Sequence, residues 1–230
     1  MKIIEVKNLV KSFKTGDKEL VVLGGMSFAV EAGEFFSIVG RSGSGKSTLL
    51  YQLGLLDQAN SGEVFIDGVN VSTLDNEERT EFRLRELGYV FQDYALVPEL
   101  TALENTAIPL LMQGLDKVSA YKKAENALRK IGMGERLYNL PNQLSGGEQQ
   151  RVSIARAIGH DPKIIFADEP TANLDSETAD TVMDAFIELN KNGQTIVMVT
   201  HEPEYARLTK RAIKIGDGKI LMDGSPDSVM

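Results

Sequence analysis

The residues of this chain with the clearest chemical potential form a short glycine-rich segment, Gly40-Arg41-Ser42-Gly43-Ser44-Gly45-Lys46-Ser47. The segment has the spacing G-x-x-x-x-G-K-[ST], follows the apolar run Phe35–Val39 and precedes a predicted helix. Glycines let backbone N–H groups turn inward and surround phosphate oxygens. A helix N-terminus adds about half a positive charge facing the anion. We therefore expect this loop to bind the phosphates of a nucleotide.

Two side chains at the end of this segment are expected to act on the nucleotide directly. Lys46 can contact the β- and γ-phosphates and assist catalysis, and the Ser47 hydroxyl can bind Mg²⁺. We predict nucleotide contacts for the segment and the residue after it, namely Gly40, Arg41, Ser42, Gly43, Ser44, Gly45, Lys46, Ser47 and Thr48. The loop alone indicates only a P-loop NTPase, a class that includes kinases, GTPases and motors. The alternative is a flexible turn of the same composition, and the strand and helix around the loop argue against it.

A second candidate group lies where the apolar run Lys163–Ala167 ends in two carboxylates, Asp168 and Glu169. Ligands of open α/β sheets bind beyond the carboxyl ends of the strands. We predict that Asp168 binds Mg²⁺ directly or through water, and that Glu169 is the general base for an attacking water. A solvated acidic turn is the usual alternative for such a pair, but the phosphate loop in the same chain favours the catalytic interpretation.

Composition restricts the class of protein. The 230 residues carry a net charge of -8, and 42% of them are hydrophobic, which is typical of a soluble globular chain. The absence of cysteine excludes disulfides and thiolate metal sites, and two histidines are too few for a histidine metal site. No basic run suited to nucleic acid occurs, and no apolar run approaches the ~18 residues of a membrane span. We predict a cytoplasmic protein that binds no nucleic acid and reaches a membrane only through a partner.

The order of apolar and amphipathic segments predicts an α/β fold. Ile3–Val6 and Glu63–Ile66 predict an antiparallel part with a tight turn at Asp67-Gly68. Ile164–Ala167 and Ile196–Val199 predict buried strands. The other predicted elements are a helix over Lys117–Ile131 with Val118, Tyr121, Ala124 and Leu128 at helical spacing, a helix over Ser176–Leu189, and two strands joined by Gly216-Asp217-Gly218.

The feature that separates this chain from other P-loop NTPases is the run Leu144-Ser145-Gly146-Gly147-Glu148-Gln149. Ser145 is suited to open a helix and the glycines allow close backbone approach, so a second anion-binding helix N-terminus is available. Taken alone, Ser-Gly-Gly would equally fit an ordinary turn. Together with the phosphate loop upstream and the acidic strand downstream, the run resembles the LSGG signature of the ABC ATPase family.

The resemblance covers nearly the whole chain and implies a fold. It implies a single ABC ATPase domain, residues 1–230, of the α/β class: a RecA-like P-loop NTPase core with an antiparallel β subdomain and an inserted α-helical subdomain. Residues 1–92 and 155–230 would form the core with its antiparallel subdomain. Residues 93–154 would form the helical subdomain that carries the signature motif.

The resemblance also assigns roles to individual residues. Gln92 resembles the Q-loop glutamine, which senses Mg²⁺ and water and links to the membrane partner. His201 resembles the H-loop histidine that contacts the γ-phosphate, and Phe13 matches the aromatic position that stacks on adenine. Asp175 resembles the D-loop aspartate that contacts the opposite subunit. The nucleotide of that subunit would be bound by the signature residues Ser145, Gly146, Gly147 and Glu148.

The implied protein is a homodimeric ATPase that works on a membrane protein. Two copies would pack head to tail around two MgATP on the inner face of the membrane and drive a separate integral membrane permease, contacted near Gln92–Thr101. The chain looks most like the subgroup of lipoprotein-releasing, macrolide-efflux and cell-division subunits, through Leu53–Asp57, Ser61–Val64, Val97–Asn105 and Asp168–Thr171. Its departures from the family pattern are Asn173, where small residues are frequent, and Glu148, where Gln is common.

Three other functions share parts of this pattern. An ATPase that signals through a membrane partner without transport, as in the cell-division relatives, would have the same catalytic residues. A DNA-repair or translation ATPase is disfavoured by the single cassette, the lack of a coiled-coil insertion and the acidic charge. A nucleotide-binding module without hydrolysis is disfavoured because both Glu169 and His201 are present.

Overall fold

The structure is a computed structural model that describes residues 1–16 and 18–230. Its contacts divide the chain into two units. The first comprises Met1–Glu81 and Asn192–Met230, and the second comprises Phe82–Lys191.

The strands are β1 (Lys2–Thr15), β2 (Lys18–Glu31), β3 (Phe35–Val39), β4 (Ser61–Ile66), β5 (Val69–Asn70), β6 (Leu87–Val90), β7 (Ile164–Asp168), β8 (Thr195–Val199), β9 (Arg211–Gly216) and β10 (Lys219–Gly224). The helices are α1 (Lys46–Leu53), α2 (Asn76–Glu86), α3 (Ala102–Met112), α4 (Lys117–Lys130), α5 (Gly146–Ile158), α6 (Ser176–Lys191), α7 (Pro203–Ala206) and α8 (Pro226–Val229), with a short 3-10 helix at Pro141–Gln143. Among the described residues, none of these helices has both the length and the apolar character needed to cross a membrane.

The first unit contains the predicted antiparallel sheet, whose strand order is β2-β1-β4-β5. The turn predicted between β4 and β5 is confirmed, with Asp67 at φ 47 and Gly68 at φ 79. The sequence pattern indicated only the start of β1, yet β1 and β2 each span 14 residues. Several register shifts interrupt their pairing. Because each bulge reverses which face the next side chains occupy, the alternation of apolar and polar residues breaks down along the strand.

The first unit also contains the strands β10, β9, β3 and β8, side by side in this order. β3 is parallel to both of its neighbours, β8 and β9. All five residues of β3 and of β8 are buried, which is why each appears in the sequence as an uninterrupted apolar run. The carboxyl ends of parallel neighbours meet at one edge of a sheet. The glycine-rich loop after β3 and His201 after β8 therefore share that edge.

The second unit pairs β6 and β7 in parallel, with Leu87 opposite Ile164 and Val90 opposite Ala167. Gln92 follows β6 by two residues, and Asp168 ends β7, so these two residues also share the carboxyl edge of a strand pair. Helices α3, α4 and α5 pack on one another, and α5 packs on β6.

The predicted helix over Lys117–Ile131 is confirmed as α4, but its apolar residues at helical spacing do not all face the core. Ala124 and Leu128 are buried, whereas Val118 is 79% exposed. Ala120 is buried in its place. At about 100° per residue, Val118 lies on nearly the opposite side of the helix from Ala120 and therefore faces solvent.

Candidate functional site

The glycines of the phosphate loop hold backbone conformations and close contacts that a side chain would not permit. Gly43 and Gly45 have φ of 75 and 96, in the left-handed region that favours glycine. A Cβ atom on Gly40 would lie 2.4 Å from the carbonyl oxygen of Ile215. Gly45 is the N-cap of α1 and has no side chain that could cap the first turn. A helix N-terminus of this kind is suited to present backbone donors to an anion.

Two polar side chains of the loop fit a phosphate ligand. The Lys46 side chain lies against the loop, with Nζ donating to the carbonyl oxygens of Gly40 at 3.1 Å and Arg41 at 3.2 Å. Lys46 is only 6% exposed, so its charge is held at the loop and not free in solvent. The buried Ser44 hydroxyl has no hydrogen-bond partner in the part of the chain that the structure describes. Because buried polar groups are nearly always hydrogen-bonded, this hydroxyl is suited to bind an oxygen atom of a ligand or of a water molecule.

His201 is placed next to the phosphate loop by the strand order of the first unit. The residue before it, Thr200, extends the β3–β8 pairing by donating its backbone N–H to the carbonyl oxygen of Ile38 at 3.2 Å. The hydroxyl of Thr200 also accepts a hydrogen bond from the backbone N–H of Glu202 at 3.0 Å. These bonds fix the backbone on both sides of His201, whose side chain is exposed.

Phe13 lies in the antiparallel sheet of the first unit and is 43% exposed. The ammonium of Lys11 lies 5.0 Å from the centroid of its ring and is itself paired with the carboxylate of Asp57 at 2.7 Å. A cation at this distance interacts favourably with an aromatic face. The exposed part of the ring is available to stack on a nucleotide base.

The acidic pair of the second unit has one buried and one partly exposed member. Asp168 ends β7 and is 5% exposed, whereas Glu169 is half-buried. The backbone of Glu169 has φ 45, a left-handed conformation that costs a non-glycine residue about 1–3 kcal/mol. Strain of this kind clusters at functional sites because the surrounding structure has to enforce it.

No group of three or more His, Asp or Glu side chains within residues 1–16 and 18–230 is arranged to hold a metal ion. Mg²⁺ differs from other metals in this respect, since it commonly binds through one or two protein oxygens together with substrate phosphates and water. Asp168 and the Ser47 hydroxyl are oxygen ligands of the kind that Mg²⁺ uses in this way.

The signature segment opens α5 with a capping box. The Ser145 hydroxyl accepts from the backbone N–H of Glu148 at 3.3 Å, and the Glu148 carboxylate accepts from the backbone N–H of Ser145 at 2.9 Å. Arg136 also donates to Glu148 at 3.1 Å. The bond from Ser145 and, secondarily, the Arg136 guanidinium lower the pKa of Glu148 despite the opposing effect of burial. A glutamate at this position therefore has a structural reason, because it caps the helix reciprocally.

The two signature glycines are required by packing within the second unit. A Cβ on Gly147 would lie 2.1 Å from the Cγ2 of Thr178, and a Cβ on Gly146 would lie 2.9 Å from the Tyr94 hydroxyl oxygen. Both distances are too short for ordinary contacts between non-bonded heavy atoms. The glycines thus bring α5 close to the start of α6 and to the loop after β6.

Asp175 has a local role that the sequence analysis did not identify. Its carboxylate accepts from the backbone N–H of Thr178 at 3.0 Å and from the Thr178 hydroxyl at 2.8 Å. These bonds cap α6 and lower the pKa of Asp175. The neighbouring Asn173 donates its side-chain amide to the carbonyl oxygen of Gln92 at 3.0 Å, which explains a polar residue at this position.

The predicted residues fall into two groups. The phosphate loop, Phe13 and His201 belong to the first unit, and Gln92, the signature motif, the acidic pair and Asp175 belong to the second. Within the second unit, Gln92 is joined to the loop of Asp175 through Asn173. Gln150 and Arg156 on α5 bind the loop after β6 and were not predicted from the sequence. Their positions carry no local motif that would have revealed this.

Comparison with known proteins identifies the family. A family model described as ABC transporter matches residues 23–172. The chain belongs to the ABC transporter family. It is 52% identical over 200 residues to the lipoprotein-releasing system ATP-binding protein LolD of Aquifex aeolicus (strain VF5), covering 87% of this chain and 89% of that protein. It is 43% identical over 221 residues to the macrolide export ATP-binding/permease protein MacB of Marinobacter nauticus, covering 96% of this chain but 34% of that protein.

A solved structure supports the same assignment. The dimeric post-hydrolysis state of the ATP-binding cassette MJ0796 bound to ADP and Pi matches this chain with a TM-score of 0.89 and 41% identity, covering 97% of this chain and 98% of the other. The predicted α/β P-loop NTPase fold is therefore confirmed. The protein is an ABC-type ATPase that uses ATP with Mg²⁺, and its resemblance to the lipoprotein-releasing and macrolide-efflux subgroup is also confirmed.

Proposed function

We propose that this ABC ATPase powers a separate membrane permease of the lipoprotein-releasing or macrolide-exporting kind, and so serves export or extraction of a lipoprotein, a drug or a peptide. The observation that carries the proposal is the 52% identity to LolD over most of both chains. Glu169 follows β7 in the second unit, and His201 follows β8 in the first. Both residues are candidates for hydrolysis, which a passive nucleotide-binding module would not need. The ATPase would lie at the inner face of the membrane through its permease.

Nucleotide binding is assigned first to the phosphate loop. Backbone N–H groups of Gly40–Thr48 and the Lys46 ammonium bind the phosphates, with the buried Ser44 hydroxyl as a further donor. Ser47 binds Mg²⁺. The exposed ring of Phe13 stacks on adenine.

Hydrolysis requires groups that act on the γ-phosphate and on water. Glu169 accepts the proton of the attacking water, and His201 contacts the γ-phosphate. Asp168 and Gln92 would help to hold Mg²⁺, which when bound supplies positive charge to the phosphate oxygens. Lys46 stabilises the charge that develops on the phosphoryl oxygens.

Dimerisation is assigned to the signature motif and to Asp175. The N-terminus of α5 is an anion-binding helix end separate from that of α1, so that one nucleotide would join the α1 end of one copy to the α5 end of the other. Contacts to the γ-phosphate stabilise the closed dimer, and hydrolysis removes them. The residue boundaries 1–92, 93–154 and 155–230 of the subdomains stay a prediction.

The permease contact is assigned to the loop Gln92–Thr101. This loop is exposed over most of its length but is internally ordered by Asn105, which is fully buried. The Asn105 side chain accepts from the backbone N–H of Val97 at 2.8 Å and donates to the carbonyl oxygens of Leu100 at 2.8 Å and Thr101 at 3.1 Å. A preformed exposed loop with apolar members is suited to receive a partner at low entropic cost.

Replacing Ser145 with Arg should leave ATP binding to the monomer intact and abolish ATP-driven dimerisation. The bulky cation would occupy the space where the nucleotide of the partner meets the α5 N-terminus. Dimer formation is measured by sedimentation with ATP in a Glu169→Gln background. The control is Asp116→Arg, which also removes a helix cap, worth about 1 kcal/mol, in the same unit. A normal ATP-dependent dimer in Ser145→Arg would contradict the cross-subunit site.

The proposed function is tested by capture of the membrane partner. Glu169→Gln protein is trapped with ATP, incubated with solubilised native membranes and recovered with what it binds. We expect an integral membrane protein with a large extracytoplasmic domain. Recovery of a periplasmic or cell-wall enzyme in the same complex would instead favour transmembrane signalling without transport. Recovery of soluble DNA-repair or translation machinery alone would refute the transporter assignment.

A further inference from the structure

The loop after β6 contains a turn, Gln92–Ala95, that local backbone preferences disfavour. We name these four residues the Q-turn. Tyr94 and Ala95 have φ of 63 and 49, so two consecutive non-glycine residues occupy the left-handed region. Such a conformation persists only where the surrounding structure enforces it.

Arg156, on the last turn of α5, enforces this conformation at one end of the Q-turn. Its guanidinium donates to the carbonyl oxygen of Tyr94 at 2.8 Å and also to that of Ala95. Two carbonyl groups are thus bound by one planar donor, whose fixed geometry restricts their orientation. The burial of Arg156 lowers its pKa and the nearby Asp93 charge opposes this, and an arginine remains a cation in either case.

Two further side chains hold the other end. Gln150 of α5 is fully buried and donates to the carbonyl oxygen of Phe91, which precedes the Q-turn, at 3.4 Å. The same amide donates to the carbonyl oxygen of Pro170, which follows the catalytic candidate Glu169, at 2.8 Å. Asn173 donates to the carbonyl oxygen of Gln92 itself. The Tyr94 ring meanwhile meets α5 at Gly146.

We propose that Arg156 is a positioning residue for hydrolysis, which fixes the Q-turn to α5 so that Gln92 is held in the orientation that serves MgATP. The proposal rests on the role of Gln92 given under the proposed function. A side chain that sets two carbonyls of the turn controls the direction in which the chain leaves Gln92. Loss of this control misplaces Gln92 without removing any group that touches the nucleotide.

The test compares Arg156→Gln and Arg156→Lys with Gln92→Ala and with the double variant Gln92→Ala/Arg156→Gln. Arg151→Gln is the matched control, since Arg151 is a half-buried arginine of the same helix outside the Q-turn. The readouts are kcat, the KM for MgATP, the Mg²⁺ concentration that gives half-maximal rate, and ATP affinity measured without Mg²⁺. Thermal unfolding of each variant is recorded in parallel.

We expect Arg156→Gln to lower kcat and raise the Mg²⁺ requirement by about 10-fold or more, as is typical when a residue that orients a metal ligand is lost. ATP affinity without Mg²⁺ should match that of the parent, because the phosphate loop is untouched. Arg156→Lys should recover part of the loss, since one ammonium can reach one carbonyl. The double variant should be no worse than Gln92→Ala, because both changes act through one residue.

Several outcomes would overturn the proposal. A parental kcat and Mg²⁺ requirement in Arg156→Gln, with Gln92→Ala impaired, would refute the role of Arg156 alone. Additive losses in the double variant would show that Arg156 acts elsewhere. A parental Mg²⁺ requirement in Gln92→Ala would refute the assigned role of Gln92 and this inference with it. If Arg156→Gln does not fold, the test uses Arg156→Lys instead. We then expect a smaller fall in kcat and a smaller rise in the Mg²⁺ requirement, and parental values of both would refute the proposal.

Discussion

Replacing Glu169 with Gln is expected to lower ATP turnover by on the order of 10²–10⁴-fold, the range in which the contribution of a general base commonly falls. Glutamine keeps the size and shape of the side chain but cannot accept the proton of the attacking water. The backbone at Glu169 is held in a left-handed conformation, and Gln150 donates a hydrogen bond to the carbonyl oxygen of the next residue, Pro170. Together they fix the position of the Glu169 Cα and Cβ atoms. The variant should therefore lose proton transfer while the geometry of the site is retained.

The same variant should also form a more persistent dimer with ATP, because the γ-phosphate contacts that join the two copies are not removed. Turnover is measured by phosphate release, and dimerisation by sedimentation with ATP and with ADP. Glu135→Gln is the control, since Glu135 is an exposed glutamate of the same unit and the charge change is identical. A parental rate of phosphate release in Glu169→Gln would remove Glu169 from the role of general base.

Replacing Lys46 with Ala is expected to weaken ATP binding by on the order of 100-fold, or about 3 kcal/mol, the scale on which a partly buried charged contact is lost. The Lys46 ammonium lies at the loop carbonyls of Gly40 and Arg41, and in the proposed site it binds the phosphates. Alanine removes both the positive charge and the donors. The hydrolysis rate at ordinary ATP concentrations should fall with it.

Binding is measured by titration calorimetry with ATP and Mg²⁺, and thermal unfolding shows whether the loop change affects folding. Lys219→Ala, at an exposed position of β10 in the same unit, provides the control for loss of one lysine charge. An unchanged dissociation constant for ATP in Lys46→Ala would place the phosphates away from this lysine, and the assignment of the loop would have to be abandoned.

The motifs of the site were predictable because each is local in sequence. The phosphate loop requires glycines within a few residues of one lysine, and Gly40 and Gly45 do occupy conformations or contacts that exclude a side chain. The capping residue Ser145 was predictable for the same reason, since an N-cap and its N–H partner are three residues apart. The buried strands β3 and β7 were predictable from unbroken apolar runs.

Other local features were not predictable from pattern. The length of β1 was hidden because bulges disturb its alternation. The exposure of Val118 does not follow from the pattern, because helical spacing permits several apolar stripes and only packing selects the one that is buried. The capping role of Glu148, by contrast, does carry a local signal, the spacing Ser-x-x-Glu of a capping box, which was not used in the prediction.

The family, the fold class and the order of the predicted ATP-binding and catalytic residues follow from the sequence, because they depend on short spacings that fold locally. How the Q-turn is held depends instead on tertiary packing. Gln150, Arg156 and Asn173 reach carbonyl groups 59 to 81 residues away in the chain. A carbonyl acceptor is present at every residue, so nothing in the sequence marks which one a distant side chain will bind. That choice is made when β6, α5 and the loop before α6 pack together.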